Sequence, residues 1–475
     1  MLFTSTLFLF AFLPVVIICY YVQKQTLGNR LRNTVLLVFS YLFYAYGTAG
    51  FVWVLLLSSA ADYVLGLMID RYRRLARLWL TLSVAINLGL LAYFKYANFF
   101  IGELSRTLAA LGLEGLQWPA VVMPIGISFF TFQKLSYIID VYRRHVRALA
   151  NFLDFALYVA MFPQLVAGPI VRFKDIWDQL TLRQESWESF NRGVLRFCWG
   201  LGKKVLIADA CGQIADAVFG MQWVALDTKT AWLGATAYTL QIYFDFSAYS
   251  DMAIGLGRLF GFELGENFNR PYSAISITDF WRRWHISLSR WFKDYLYIPL
   301  GGNRKGAVRT YGNLLAVFVL CGLWHGANWT FIIWGLYHGL FLALERVSGL
   351  RRLSEDRWFA CRRAITLLVV TLGWVLFRSP SLAAALHFLK SMFVLRALPL
   401  QYELYRVLHF RNLAFVLLAL CVVLAAPRLP TCEALIRSRG PVRVALSWVF
   451  IGILLPYCAA FVISGTSHPF IYFRF

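Results

Sequence analysis

The chain of 475 residues is 60% hydrophobic and 17% aromatic, with only 15% charged side chains, whereas a soluble domain carries about a quarter. Its mean hydropathy is +0.62, and several apolar runs reach the roughly 18 to 20 residues that cross a bilayer, which excludes an ordinary soluble fold. The net charge of +22 does not indicate nucleic acid, because the basic residues sit in short clusters between apolar runs, as cytoplasmic loops beside anionic lipid do.

The N-terminal stretch "MLFTSTLFLFAFLPVVIICYY" is apolar at once and meets its first basic residue at Lys24. It lacks the positive segment and small-residue cleavage site of a secretory signal, so it reads as an uncleaved first span. Further apolar runs lie near 33–48, 50–69, 78–97, 150–169, 193–219, 229–250, 311–344, 365–378, 411–427 and 443–463. The expectation is an all-α polytopic membrane protein with roughly eleven to twelve spans. One integral membrane domain over 1–475 is expected, with N-terminal spans to 110, a motif-bearing core over 119–350 and C-terminal spans over 351–475. The eight cysteines are scattered singly, which indicates small core residues and no disulfide or zinc site.

Basic clusters set an orientation. Lys24, Arg30 and Arg32 follow the first run, "RYRRLAR" (Arg71 to Arg77) the third, and "VYRRHVR" follows residue 140. The positive-inside tendency puts these loops in the cytoplasm and the N-terminus outside. The segment "PAVVMPIGISFFTFQKLSYII" (119–139) is interrupted by Pro119, Pro124 and Gly126. It reads either as a re-entrant element shielded by protein or as a kinked span.

In "YTLQIYFDFSAYSDMAIGLG", Asp245, Tyr249 and Asp251 fall at the end of an apolar run. Carboxylates at membrane depth are costly unless paired or facing water, so they are candidates to line a substrate path. The alternative is that they cap a helix end at the interface. Next, residues 278–296 on a helical wheel place Trp281, Trp284, Leu288, Trp291, Phe292 and Tyr295 on one arc and Arg282, Arg283, Ser287, Arg290, Lys293 and Asp294 on the other. Such a helix lies in the interface plane, and Ser276 with Asp279 resembles a capping box at its start. His285 falls at the edge of the aromatic arc and points inward. Arg282, Arg283, Lys293 and Arg304 are cations for a donor's phosphates or for lipid headgroups.

From Thr310 to Leu344 no side chain is charged. As one helix the run measures about 52 Å at 1.5 Å per residue, against a hydrocarbon core about 30 Å thick. It must break, and the Gly322/Gly326 pair beside His325 is the expected place. At helical spacing His325, Asn328 and Trp329 share a face, with Trp324 adjacent. A buried neutral imidazole is a proton acceptor near neutral pH and suits a general base for acyl transfer. A histidine that hydrogen-bonds a neighbouring helix is the structural alternative, and the residues alone leave both open. His338, in "GLYHG", lines the same cavity or sits near an interface. His145, His387, His409 and His468 have no convergent partners. HExxH, Walker A and H-x4-D motifs are all absent.

Three stretches, "YFDFSAYSDMAIGLG", "DFWRRWHISLSRWFKDYLYIPLGGNR" and "LWHGANWTFIIWGLYHG", resemble the membrane-bound O-acyltransferases, in the branch that serves bacterial exopolysaccharides. Order and spacing agree from about residue 85 to about 350. The resemblance implies interfacial and re-entrant helices around a central funnel, with His325 as the catalytic histidine and His285 as the second. It implies an acetyl thioester donor, acetyl-coenzyme A or a carrier, with no bound cofactor or metal. It further implies a bacterial inner-membrane location, a periplasmic N-terminus, and partners in a periplasmic acetyltransferase and the polysaccharide synthesis and export complex. The polymer is alginate, cellulose or another. A transporter or flippase of an acyl or lipid-linked intermediate is the competing reading, although no internal repeat supports it; a scaffold of a synthase complex is a third.

Overall fold

A computed structural model describes residues 1–27, 31–349, 358–438, 440–465 and 470–471. Arg30 and His468 of the analysis above lie outside them. Every regular element among the described residues is helical. The chain forms two compact units, one of residues 1–191 with 256–265 and one of residues 192–255 with 266–475.

The first unit contains α1 (Leu13–Leu27), α2 (Arg32–Thr48), α3 (Val52–Arg71), α4 (Ala76–Leu91), α5 (Ala97–Ala110), α6 (Ile127–Tyr142), α7 (Phe152–Ala160) and α8 (Phe173–Leu182). The uncharged "YGTAG" turns the chain between α2 and α3 through a 3-10 corner at Ala49–Phe51, where Thr48 leaves helical geometry (φ −153°, ψ 44°). The Pro-Gly segment is not continuous helix. Pro119 and Pro124 lie in a non-helical lead-in, and α6 begins only after Gly126 (φ +78°). Gly126 is required there, because a Cβ would stand 2.7 Å from the Leu165 carbonyl oxygen. Most of α6 is then buried.

Charged groups deep inside this unit are placed beside partners, as a low-dielectric interior demands. Asp62 of α3 accepts from Ser83 and from Asn87 Nδ2 (2.7 Å) of α4, and faces Lys134 Nζ of α6 at 3.5 Å. All four side chains are fully buried. Arg32, expected among loop cations, is also buried; it donates to the carbonyls of Arg183 and Thr181, both at 2.9 Å, and pairs with Glu185. Arg71, Arg74 and Arg77 are exposed, as a loop cluster should be.

The second unit takes up the end of α9 (Trp187–Gly202), then α10 (Asp209–Phe219) and most of α11 (Thr228–Leu259). It continues with α12 (Ile277–Arg283), α13 (Ile286–Phe292), α14 (Ala307–His325), α15 (Trp329–Val347), α16 (Phe359–Arg378) and α17 (Leu382–Phe393), and with shorter C-terminal helices. Among the described residues, five helical stretches are long and apolar enough to cross a bilayer: 32–71, 73–110, 307–325, 359–378 and 441–463. Shorter apolar helices cover Phe8–Gln23, Leu382–Phe393 and Phe410–Ala425. None of the eight cysteines is bonded to another.

The long amphipathic helix expected over 278–296 is two short ones. Trp284 becomes extended and His285 left-handed (φ +43°), so α12 stops at Arg283 and α13 starts at Ile286. The predicted division of faces survives the break. Trp281, Trp284, Leu288, Trp291, Phe292 and Tyr295 are buried, while Arg282, Arg290 and Lys293 are exposed. Ser276 caps α12 by accepting from the Asp279 amide (3.0 Å), but Asp279 does not complete the box. The carboxylate of Glu345, on α15, takes the Thr278 amide (2.9 Å) and hydroxyl (2.8 Å) instead.

Candidate active site

The hairpin α14–α15 is where the uncharged run breaks. Gly322 and Gly335 let the two helices close. A Cβ on Gly322 would fall 2.1 Å from the Phe331 carbonyl oxygen, and one on Gly335 would fall 2.2 Å from that of Phe318, so only glycine permits this backbone approach. Helix α14 ends at His325. Gly326 is extended, and Asn328 caps α15 by accepting from the Thr330 amide at 3.1 Å.

That cap overturns one expectation. His325, Asn328 and Trp329 do not share a face, because the break separates them. Asn328 Nδ2 donates to the Pro380 carbonyl at 3.0 Å, and Trp329 is 47% exposed. His325 is buried at the hairpin tip. Its ring stands edge-to-face with Trp334 (5.3 Å), Phe377 (5.2 Å) and Trp324 (4.9 Å). It lines a cavity with Ile242 and Phe246 of α11, Trp284, Trp334 of α15, Trp374 and Phe377 of α16, and Ile471. The space among these residues, including the part open to solvent, is about 300 Å³, and it admits about one water-sized group.

His285 is fully buried and held in a different way. Its Nδ1 lies 3.1 Å from Asn267 Oδ1, which also accepts from the Ser287 hydroxyl at 2.8 Å. The Asn267 carbonyl accepts the Ile286 amide (2.9 Å), and Asn267 Nδ2 donates to Ser250 (3.0 Å). With an amide oxygen on Nδ1, that nitrogen carries the proton, and Nε2 is left as the lone-pair nitrogen. Nε2 has no partner among the described residues. Burial pushes this imidazole down to about 3, so it is neutral near pH 7. Phe246, a wall of the His325 cavity, meets the His285 ring edge-on at 4.7 Å, and Trp324 touches both imidazoles.

His338 packs against the far side of Trp334 (5.1 Å) and against Trp281 (5.3 Å), and is not a wall of this cavity. Asp245 and Asp251 do not cap a helix end; they lie inside α11 and are paired. Lys204 Nζ sits between Asp245 (2.7 Å) and Asp209 (2.8 Å), and Asp251 joins Arg196 and Lys203. Asp245 also accepts the Ile471 amide at 2.6 Å, which ties its ion pair to a cavity wall. Tyr249 is buried edge-on to Phe470 at 4.8 Å. Arg283 is paired with Asp279 at 2.8 Å, whereas Arg282, Lys293 and Arg304 are exposed without a carboxylate among the described residues. No group of three or more potential metal ligands occurs among those residues.

The aromatic walls on α11 and α16, the Asn267 bracket and the Glu345 cap went unread in the sequence. Trp374 and Phe377 are three positions apart in "GWVLF" and share a helix face, which was the available signal; Asn267 carries none.

A multi-pass, all-helical membrane protein with a buried imidazole at a helix break is the class these features define. The chain belongs to the MBOAT, membrane-bound O-acyltransferase family, whose model matches residues 17–384, and it is an O-acyltransferase. It is 48% identical over 396 residues to the probable alginate O-acetylase AlgI of Pseudomonas putida, covering 83% of this chain and 80% of that one. It is 38% identical over 424 residues to the peptidoglycan O-acetyltransferase of Helicobacter pylori, covering 82% and 80%. The teichoic acid D-alanyltransferase of Bacillus subtilis is 28% identical over 333 residues, covering 63% and 81%.

Proposed function

We propose that this enzyme takes an acetyl group from a cytoplasmic thioester, acetyl-coenzyme A or a carrier-bound equivalent, and delivers it across the bacterial inner membrane for O-acetylation of an exopolysaccharide. Alginate is the first candidate polymer, given the probable alginate O-acetylase among the relatives; cellulose is the second. The N-terminus is then periplasmic, and a periplasmic acetyltransferase of the polymer's export complex receives the acetyl group.

The observation that carries this reading is His325 itself, buried at a glycine-closed hairpin tip in the wall of an aromatic cavity. Neutral imidazole there takes the proton of the acceptor hydroxyl as its oxygen attacks the thioester carbonyl. The C–S bond breaks, the C–O ester bond forms, and the proton passes from His325 to the leaving thiolate. Such general-base assistance contributes about 10²- to 10⁴-fold. His285, its tautomer set by Asn267, offers Nε2 toward the aromatic wall as a second proton acceptor. Exposed Arg282, Lys293 and Arg304 suit the phosphates of a coenzyme A donor; the scheme makes no use of Asn328, which caps α15, of exposed Trp329, or of His338 outside the cavity wall.

Purified protein in lipid nanodiscs, given acetyl-labelled acetyl-coenzyme A and an acceptor alcohol, is expected to release free coenzyme A and form the ester. Passage of intact substrate through the protein with no thiol released would favour transport and defeat the proposal.

A further inference from the structure

The aromatic walls around His325 are not equally free to move. Trp374 Nε1 donates to the Tyr272 hydroxyl at 3.1 Å, and that hydroxyl donates to the Thr239 carbonyl at 2.6 Å. Arg363 Nε in turn holds the Tyr272 carbonyl at 3.0 Å. Trp374 and Tyr272 are both almost fully buried. The indole is also enclosed by rings, with Trp284 at 4.8 Å, Phe377 at 5.5 Å and Trp334 at 5.8 Å. Turning Trp374 aside would leave a buried N–H without its partner, a costly loss. The side chains of Phe377, Phe246 and Ile242 carry no hydrogen-bonding group and are held by packing.

We infer that Trp374, locked by Tyr272, is the wall that limits the transferred acyl group to two carbons. The inference rests on the acetyl-transfer reading above. The cavity admits about one water-sized group beside His325, which is the room an acetyl methyl needs. A further methylene has to displace one of the lining rings, and Trp374 is the one fastened by a hydrogen-bond chain. A pocket that accepts or rejects one methylene discriminates by about 10- to 200-fold. Trp374 is thus specificity-determining, and Tyr272 is a positioning residue that acts through it. The bond changes are the same for either acyl group: thioester C–S breaks, ester C–O forms, and the hydroxyl proton reaches the thiol through His325.

The test is competition. Membranes of producing cells, with the protein and its partners in place, receive an equimolar mixture of acetyl- and propionyl-coenzyme A. Acetate and propionate released from the polymer by alkali are then counted. Wild type is expected to favour acetyl by at least about tenfold. Trp374→Leu is expected to erase most of that preference, and Tyr272→Phe, which keeps the ring and removes the latch, to reduce it severalfold. Should Trp374→Leu fail to accumulate, Tyr272→Phe decides, and a preference lost in Phe377→Leu but kept in Tyr272→Phe assigns the limit to Phe377 and overturns the inference. A wild-type ratio near one, or an unchanged ratio in Tyr272→Phe and whichever cavity variant folds, overturns the inference while leaving acetyl transfer intact. Absence of both esters in wild type overturns the functional reading and this inference with it.

Discussion

His285 and His325, both in the second unit, are buried to a similar degree, but the contacts around them differ in kind. His285 is oriented by directional bonds, with Asn267 fixing its Nδ1 and Ser287 sharing the same oxygen. His325 is framed by rings and by the glycines that let its hairpin close. Hydrogen bonds choose a tautomer and a direction; packing chooses a location and a shape. A base that must meet an incoming hydroxyl needs its position fixed, and the second kind of support supplies that. A ring that must present one nitrogen gains from the first.

Substitutions at the two cradles are expected to differ accordingly. The largest effect belongs to Gly322→Ala, whose new Cβ collides with backbone rather than with a flexible side chain. The hairpin has to open, so folded protein recovered from membranes and ester on the polymer should both collapse. Normal yield and activity would show that the hairpin tolerates separation and that the glycines do not set the site.

Next in size is Lys204→Met, which strands two carboxylates. Removing one partner of a buried pair costs about 3–5 kcal/mol, so a drop in thermal stability is expected. Adding Asp209→Asn and Asp245→Asn should restore most of it. If the triple variant is no more stable than the single one, the pairing of Asp245 is not what supports this region.

Asn267→Ala should be milder for the fold and sharper for the chemistry. It frees the His285 ring to turn, and misplacement of about 1 Å can cost 10²-fold in rate. The expected readout is a fall in kcat with donor KM little changed; a change confined to KM would place Asn267 in donor binding instead.

The smallest effect is on acid stability. His285 titrates near 3 when folded and near 6.5 when unfolded. Its contribution is therefore present in full above about pH 6.5 and fades as pH falls toward 3, because the unfolded chain binds the proton first. By pH 5 the loss is about 2 kcal/mol, and His285→Gln should flatten that slope in a melting series from pH 7 to pH 5. An unchanged slope would mean that His285 is not sheltered from protonation.

Much of this was legible in the sequence where local composition decides. The charge-free run from Thr310 to Leu344 was too long for one span, and it breaks beside His325 because Gly326 leaves the helix and Asn328 starts the next one. The aromatic and basic arcs of 278–296 also held, although the helix carrying them is interrupted. That interruption was not legible: His285 adopts φ +43° because Asn267, eighteen positions away, brackets the turn. Arg32 misled for the same reason. Its place beside Lys24 and Arg30 suggested a loop, yet its guanidinium finds carbonyls about 150 residues on. Periodicity reads faces; it does not read partners supplied by distant chain.

The central claim is that His325 carries the proton in acyl transfer. The direct measurement is the ester content of the polymer in cells producing His325→Ala, beside the amount and melting temperature of the variant in their membranes. The account predicts acetylation lowered by at least about 10²-fold with abundance and melting temperature close to wild type. Acetylation within about threefold of wild type in that variant would contradict it.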